Sequence, residues 1–312
     1  MPPETTTILK TFYHPITDRD RLAVAQLKAT LSDLTIEFEP TTRSFFDEMM
    51  QHTPKAPGVT YVQAQVGGVA GWWCSPQNAA PERAILYFHG GAYNIGSARA
   101  FCNFAGQIAT AAGVDLFVPD YRLAPENPFP AAVQDALAVY QGLVESGYKQ
   151  IALAGDSAGG GLALVTLAQI LSKAASRQSE RLVRCAVVLS PWTDLSLSGA
   201  SITEHAQADP LLKRESLVAA ADRYLAGHDP RDPLASPLFG ELSDLPPILL
   251  QVGESEILLD DARRYAAAIE SEGSELHIWE GMPHVFQSSI GVYDAAQFAL
   301  ENIGSFLRKH LD

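Results

Sequence analysis

The chain has 312 residues, 47% of them apolar and 19% charged, with a net charge of −14. That length buries a sizeable core and that composition excludes a disordered chain, while the acidity argues against nucleic acid and anionic membrane surfaces as partners. No apolar run approaches bilayer length, and residues 1–7 lack the basic and apolar regions of a signal peptide, so a cytoplasmic location is expected. Cys74, Cys102 and Cys185 are an odd count without paired spacing, which suits a reducing compartment and small buried hydrophobes rather than metal ligands.

In chain order, residues 1–55 carry helical patterning, as in 18–32 and 42–52, with no evident place in a sheet. From about residue 60 onward, strand-like apolar runs alternate with helical stretches. Strands are predicted at 84–88, 115–118, 150–154, 185–189, 247–252 and 276–279, with helices between them such as 130–145 and 260–272. This alternation predicts an α/β fold, a mainly parallel sheet covered on both faces, with its site beyond the carboxyl ends of the strands. Residues 196–233, with a helix over 215–225, interrupt the alternation as a second insertion.

The segment that carries chemistry is Gly155-Asp156-Ser157-Ala158-Gly159, preceded by the apolar run Ile151-Ala152-Leu153-Ala154 and followed by a small-residue helical stretch over 162–168. Glycines two residues either side of Ser157 let the backbone pass close to itself and hold the serine in a strained turn, its hydroxyl exposed as a nucleophile. Upstream, Ile85-Leu86-Tyr87-Phe88 runs into His89-Gly90-Gly91-Ala92-Tyr93. Acyl transfer at a serine needs N–H donors aimed at the oxyanion. Gly90 and Gly91 offer two, and Ala158, directly after the nucleophile, offers another. Asp156 reads as structural, tying the elbow to a neighbouring loop.

These motifs, with Asp120-Tyr121-Arg122-Leu123-Ala124-Pro125-Glu126, Ser190-Pro191-Trp192 and Met282-Pro283-His284 in the same order, resemble the hormone-sensitive lipase family of α/β-hydrolases, in its bacterial esterase branch. Ala92 stands where that family usually has a third glycine. The resemblance implies one α/β-hydrolase domain over residues 1–312, with a helical cap from about 1–55 and 196–233 over the active site. It also implies that His89 supports the oxyanion loop rather than taking protons. Along the chain this superfamily runs serine, acid, histidine, which places His284 as the base. His14 and His52 then fall in cap material, His205 and His228 in the second insertion, and His277 in a strand.

For the acid, the register around Leu258 and Asp260 points to Glu256. The 28 residues from Glu256 to His284 make a slightly short gap for the family, and counting back would choose Glu254 instead. Asp260 and Asp261 read as solvated charges at a helix start. The chain is thus expected to be a serine carboxylesterase for short-chain esters, working through an acyl-enzyme with Ser157, His284 and Glu256 and needing no metal or cofactor. Its partner is a small-molecule ester, and the resemblance allows a homodimer through an edge strand. An acyltransferase or amidase would use the same residues. A non-catalytic receptor on this fold typically loses the histidine, and His284 argues against that reading.

Overall fold

A computed structural model describes residues 9–31, 36–175 and 182–312. Its elements begin with β1 (Lys10–His14), α1 (Asp18–Thr30), α2 (Arg43–Met50), β2 (Thr60–Val66), β3 (Val69–Ser75) and β4 (Arg83–Phe88). Next come α3 (Ala98–Ala112), β5 (Asp115–Pro119), α4 (Ala131–Glu145), β6 (Gln150–Asp156), α5 (Ala158–Ala175) and β7 (Val183–Leu189). The chain ends with α6 (Ser201–Glu204), α7 (Arg214–Leu225), β8 (Ile248–Gly253), α8 (Leu259–Ala268), β9 (Glu275–Trp279) and α9 (Asp294–Leu311). All six predicted strands are present, each within two residues of its expected bounds.

Among the described residues the strands form one sheet in the order β1-β9-β8-β7-β6-β4-β5-β3-β2. It is parallel from β1 to β5, and β3 and β2 add antiparallel strands at one edge. The central strands are apolar on both faces, as a sheet covered on both sides requires. Ala84, Leu86, Phe88, Ile151 and Leu153 pack into one core with α4, α5, α7 and α8. Their neighbours Ile85, Tyr87, Ala152 and Ala154 face the other core, with α3 and α9. Chain order reverses at β4, which lies between β5 and β6, and the loops after β4 and β6 therefore open side by side.

Three strands lie outside the sequence reading. Residues 10–14 were expected in helical material, yet Lys-Thr-Phe-Tyr-His is built of residues that favour extended backbone, and it adds a parallel strand to β9 in the register Lys10↔Glu275. It is short and mostly exposed, so it leaves no apolar alternation to read. The β2–β3 hairpin turns at Gly67-Gly68, both with positive φ (58° and 81°). A Gly-Gly pair between two β-rich runs is the signal that would have found it.

α1 and α9 are clamped together. Asp20 of α1 is fully buried, and its carboxylate accepts hydrogen bonds from Asp294 N (2.7 Å) and Ala295 N (3.2 Å), capping α9 from a distant helix. The Arg19–Asp294 ion pair (2.7 Å) stands beside it. Residues 1–8 and 32–35 of the expected cap lie outside the described residues. Cys74, Cys102 and Cys185 are buried and free of disulfides.

Leu153 of β6 has no exposed surface. Truncation to alanine removes apolar contacts and leaves a cavity, so Leu153→Ala should lower unfolding free energy by about 2–5 kcal/mol, read from urea melts followed by circular dichroism.

Candidate active site

The site begins where β6 turns into α5. Ser157 has φ +53°, a left-handed conformation that costs a non-glycine residue about 1–3 kcal/mol. Its backbone is held from both sides, since Ser157 N donates to Leu189 O (2.8 Å) and Ser157 O accepts from Trp192 N (2.9 Å) and Gly161 N (3.1 Å). The flanking glycines are required by close approach. A Cβ on Gly159 would stand 2.0 Å from Phe88 O, and one on Gly155 would stand 2.4 Å from Gly159 O. With Phe88 registered against Gly155, the end of β4 and the elbow are pressed together.

That contact sets the loop after β4 beside Ser157. Asp156 is buried, and its Oδ1 accepts from Tyr87 Oη (2.7 Å) and Gly90 N (3.0 Å). It ties the elbow to the neighbouring strand and loop by the hydrogen bonds its sequence position suggested. Burial pushes its carboxyl up to about 6, with the Tyr87 bond, His284 and the Gly90 N–H pulling the other way. The expectation that Gly90 donates toward the substrate does not fit this geometry, because its N–H is taken by Asp156. Gly91 and Ala158 keep N–H groups without a protein acceptor among the described residues.

His89 fixes the direction of one of them. Its Nδ1 lies 2.7 Å from Gly90 O, and since a carbonyl only accepts, Nδ1 carries the proton. A trans peptide sets C=O and the following N–H on opposite sides, so anchoring the Gly90 carbonyl turns the Gly91 N–H the other way. The ring is fully buried, stacks on Tyr121 at 4.4 Å, and is pushed down to about 4 by burial, so it stays neutral.

Glu256 and His284 meet across the loops after β8 and β9. His284 Nδ1 is 2.7 Å from Glu256 Oε2, and the carboxylate has no exposed surface. Its other oxygen accepts from Ser190 Oγ (2.7 Å) and Gly253 N (2.5 Å). Burial pushes His284 down, but Glu256, by charge and hydrogen bond, and then Asp209 and Asp156 by charge, hold it above its ordinary 6.5. Glu254 is half-buried and does not contact the imidazole; its own N–H donates to Trp279 O.

Ser190 and Asp209 escape a motif search. Ser190 sits at the end of β7 with φ +47°, and its hydroxyl both donates to Glu256 and accepts from Val285 N (3.1 Å), joining the loop of Glu256 to that of His284. Asp209 is buried and accepts from Ile257 N, Leu211 N and Leu212 N, each at 2.9 Å. The reading of Asp261 as a solvated charge is corrected. It is fully buried and accepts from Thr193 N (2.7 Å) and Asp194 N (2.9 Å), and burial, then Asp194, push it up to about 8. Asp260, half-buried, accepts from Ser201 N (3.0 Å). His14 lies in β1 rather than a helix, 2.9 Å from His277 Nδ1.

Ser157, His284 and Gly91 line one cavity of about 390 Å³. Most of its wall is apolar: Leu27, Phe46 and Met49 come from the N-terminal helices, and Leu211 and Leu212 from the second insertion. His52, dismissed on sequence, also stands in this wall.

The model of the alpha/beta hydrolase fold family matches residues 85–288, about two thirds of the chain. The chain belongs to that family. A crystal structure of an esterase from the bacterial hormone-sensitive lipase family superposes with a TM-score of 0.86 at 36% identity, covering 95% of this chain and 99% of that one. An acetyl-hydrolase of Streptomyces hygroscopicus is 42% identical over 247 residues, 78% of this chain and 81% of the relative. An esterase of Acinetobacter venetianus is 34% identical over 287 residues, 90% and 93% of the two chains. This protein is therefore an esterase of the hormone-sensitive lipase family, and among its described residues no helix is long and apolar enough to cross a membrane.

A base at His284 must be neutral to take a proton, and its raised value sets the sign of the pH response. The esterase's kcat/KM should climb with pH along a limb centred above 6.5. Glu256→Gln should move that limb to lower pH, because the imidazolium loses its carboxylate, and should lower the plateau about 10²–10⁴-fold. Glu254→Gln should do neither; the reverse pattern in the two pH profiles would reassign the acid.

Proposed function

We propose that this esterase hydrolyses short-chain carboxylic esters with Ser157 as nucleophile, His284 as general base and Glu256 as the acid that orients it. One observation carries the reading: a buried Glu256–His284 hydrogen bond of 2.7 Å whose imidazole shares a cavity with a serine held at φ +53°. With Nδ1–H committed to the carboxylate, Nε2 is the ring's free base.

His284 takes the Ser157 proton as Oγ attacks the ester carbonyl. The carbonyl oxygen gains negative charge, which the N–H groups of Gly91 and Ala158 accept as hydrogen-bond donors, each worth about 3–4 kcal/mol of barrier. The imidazolium then protonates the leaving alkoxide, and an acyl-enzyme remains. Water, deprotonated by the same imidazole, attacks that acyl group, and collapse of the second tetrahedral intermediate releases the acid and restores Ser157. His89 and Asp156 act through the loop, by clamping the Gly90 carbonyl and N–H so that the Gly91 N–H is set before substrate arrives.

Two features support the short acyl chain. The cavity of about 390 Å³ lies toward the small end of the roughly 300–1,000 Å³ typical of small-molecule sites, and its wall is mainly apolar. The Streptomyces relative is named for acetyl groups. The segments expected to form the cap supply Leu27, Phe46, Met49, Leu211 and Leu212 to that wall, where they would hold the acyl or alcohol part and exclude water.

A p-nitrophenyl ester series from acetate to palmitate, run on wild type beside Ser157→Ala, tests this. Rates should peak at short chains and fall at least about 10³-fold in the variant. Equal rates in the two proteins would remove Ser157 from the mechanism, and a peak at long chains would remove the short-chain preference.

A further inference from the structure

The loop that carries Glu256 is fastened to the second insertion as well as to the sheet. Both polar groups of Ile257, the residue after the acid, are held by it: Ile257 N donates to Asp209 Oδ2 (2.9 Å) and Ile257 O accepts from Ser201 Oγ (2.7 Å). Asp260 N donates to the same Ser201 hydroxyl (3.0 Å), and Ser201 N returns a bond to Asp260 Oδ2.

Asp209 differs from Ser201 in what else it holds. Its Oδ1 accepts from Leu211 N and Leu212 N, the two residues of the insertion that line the substrate cavity. One side chain with 1% exposure thus spans the cavity wall and the acid's loop. A carboxylate suits this place because it accepts three N–H groups at once, which an amide with one acceptor oxygen cannot match.

We infer that Asp209 is a positioning residue of the esterase reaction, fixing the Glu256 loop to the cavity wall and so holding Glu256 against His284. This rests on the assignment of His284 as the base. Three acidic groups act on that imidazole, each from a different element: Glu256 from the loop after β8, Asp156 from the end of β6, and Asp209 from the segment between α6 and α7. Glu256 takes the direct hydrogen bond. Asp156 is committed to the oxyanion loop through Gly90 N and Tyr87. Asp209 reaches the base through the position of the Glu256 loop, and its charge adds to the field there.

The test compares pH profiles of kcat and kcat/KM for p-nitrophenyl butyrate in wild type, Asp209→Asn and Asp209→Glu, with folding checked by circular dichroism. Asp209→Asn removes the charge and part of the anchoring. Its acid limb should shift about half a pH unit toward lower pH, and kcat should fall about tenfold, with KM changed less. Asp209→Glu keeps the charge but lengthens the reach, so its limb should stay with wild type while kcat falls roughly threefold or more. An Asp209→Asn limb superimposed on wild type overturns the inference, as does wild-type kcat in Asp209→Glu; the second comparison stands even where the asparagine variant does not fold. A wild-type profile with no acid limb would instead overturn the assignment of His284, and Ser157→Ala in the same plates separates the two failures.

Discussion

The contact on which the site depends is backbone against backbone, where the end of β4 meets the turn after β6. Phe88 O lies so near Gly159 that no side chain fits between them, and Gly155 is equally confined from the other side. The loop proposed to receive the oxyanion leaves β4 at one side of this contact, and Ser157, the proposed nucleophile, follows β6 at the other. Their spacing is therefore set by van der Waals contact between main chains, which has little give. The left-handed strain at Ser157 is offset by the same arrangement, because three hydrogen bonds hold its N–H and C=O.

Around that rigid contact the protein gathers buried carboxylates. Glu256, Asp156 and Asp209 each leave water, a cost of several kcal/mol for an uncompensated charge. Each recovers it from donors fixed by the fold: Gly253 N, Ser190 Oγ and His284 for the first, Tyr87 and Gly90 N for the second, three backbone N–H groups for the third. Five of these eight donors are main-chain N–H groups, which do not titrate and cannot swing away. The result is an imidazole held in one tautomer inside a negative surrounding, which favours the protonated form that the proposed proton transfer from Ser157 would create.

How far the sequence discloses this arrangement depends on the kind of interaction. The elbow is legible because its constraint is local: glycines at fixed offsets, a strand before and a helix after. Glu256 and His284 are picked out by resemblance and chain order, and the choice between Glu256 and Glu254 rests on a two-residue register; in the structure it is Glu256 that lies 2.7 Å from His284 Nδ1. Ser190 and Asp209 are not legible, because a serine or an aspartate in a loop carries no pattern until folding brings distant N–H groups to it. Gly90 shows the converse. Two adjacent glycines look alike in sequence, and only the position of Asp156 makes one a structural donor and leaves the next free. The edge strand β1 is hidden for the same reason, since what makes it a strand is β9, more than 260 residues away.

That distance also orders events in time. Asp20 caps a helix beginning at Asp294, and Leu27 of the same N-terminal helix shares the cavity wall with Val292 and Tyr293. A ribosome adding about 5–20 residues per second needs roughly 15–50 s to travel from one to the other. For that interval the nascent N-terminal segment has neither its sheet neighbour nor its helix partner, while the central strands already have theirs. The cavity wall is thus complete only once both Leu27 and Tyr293 have been made.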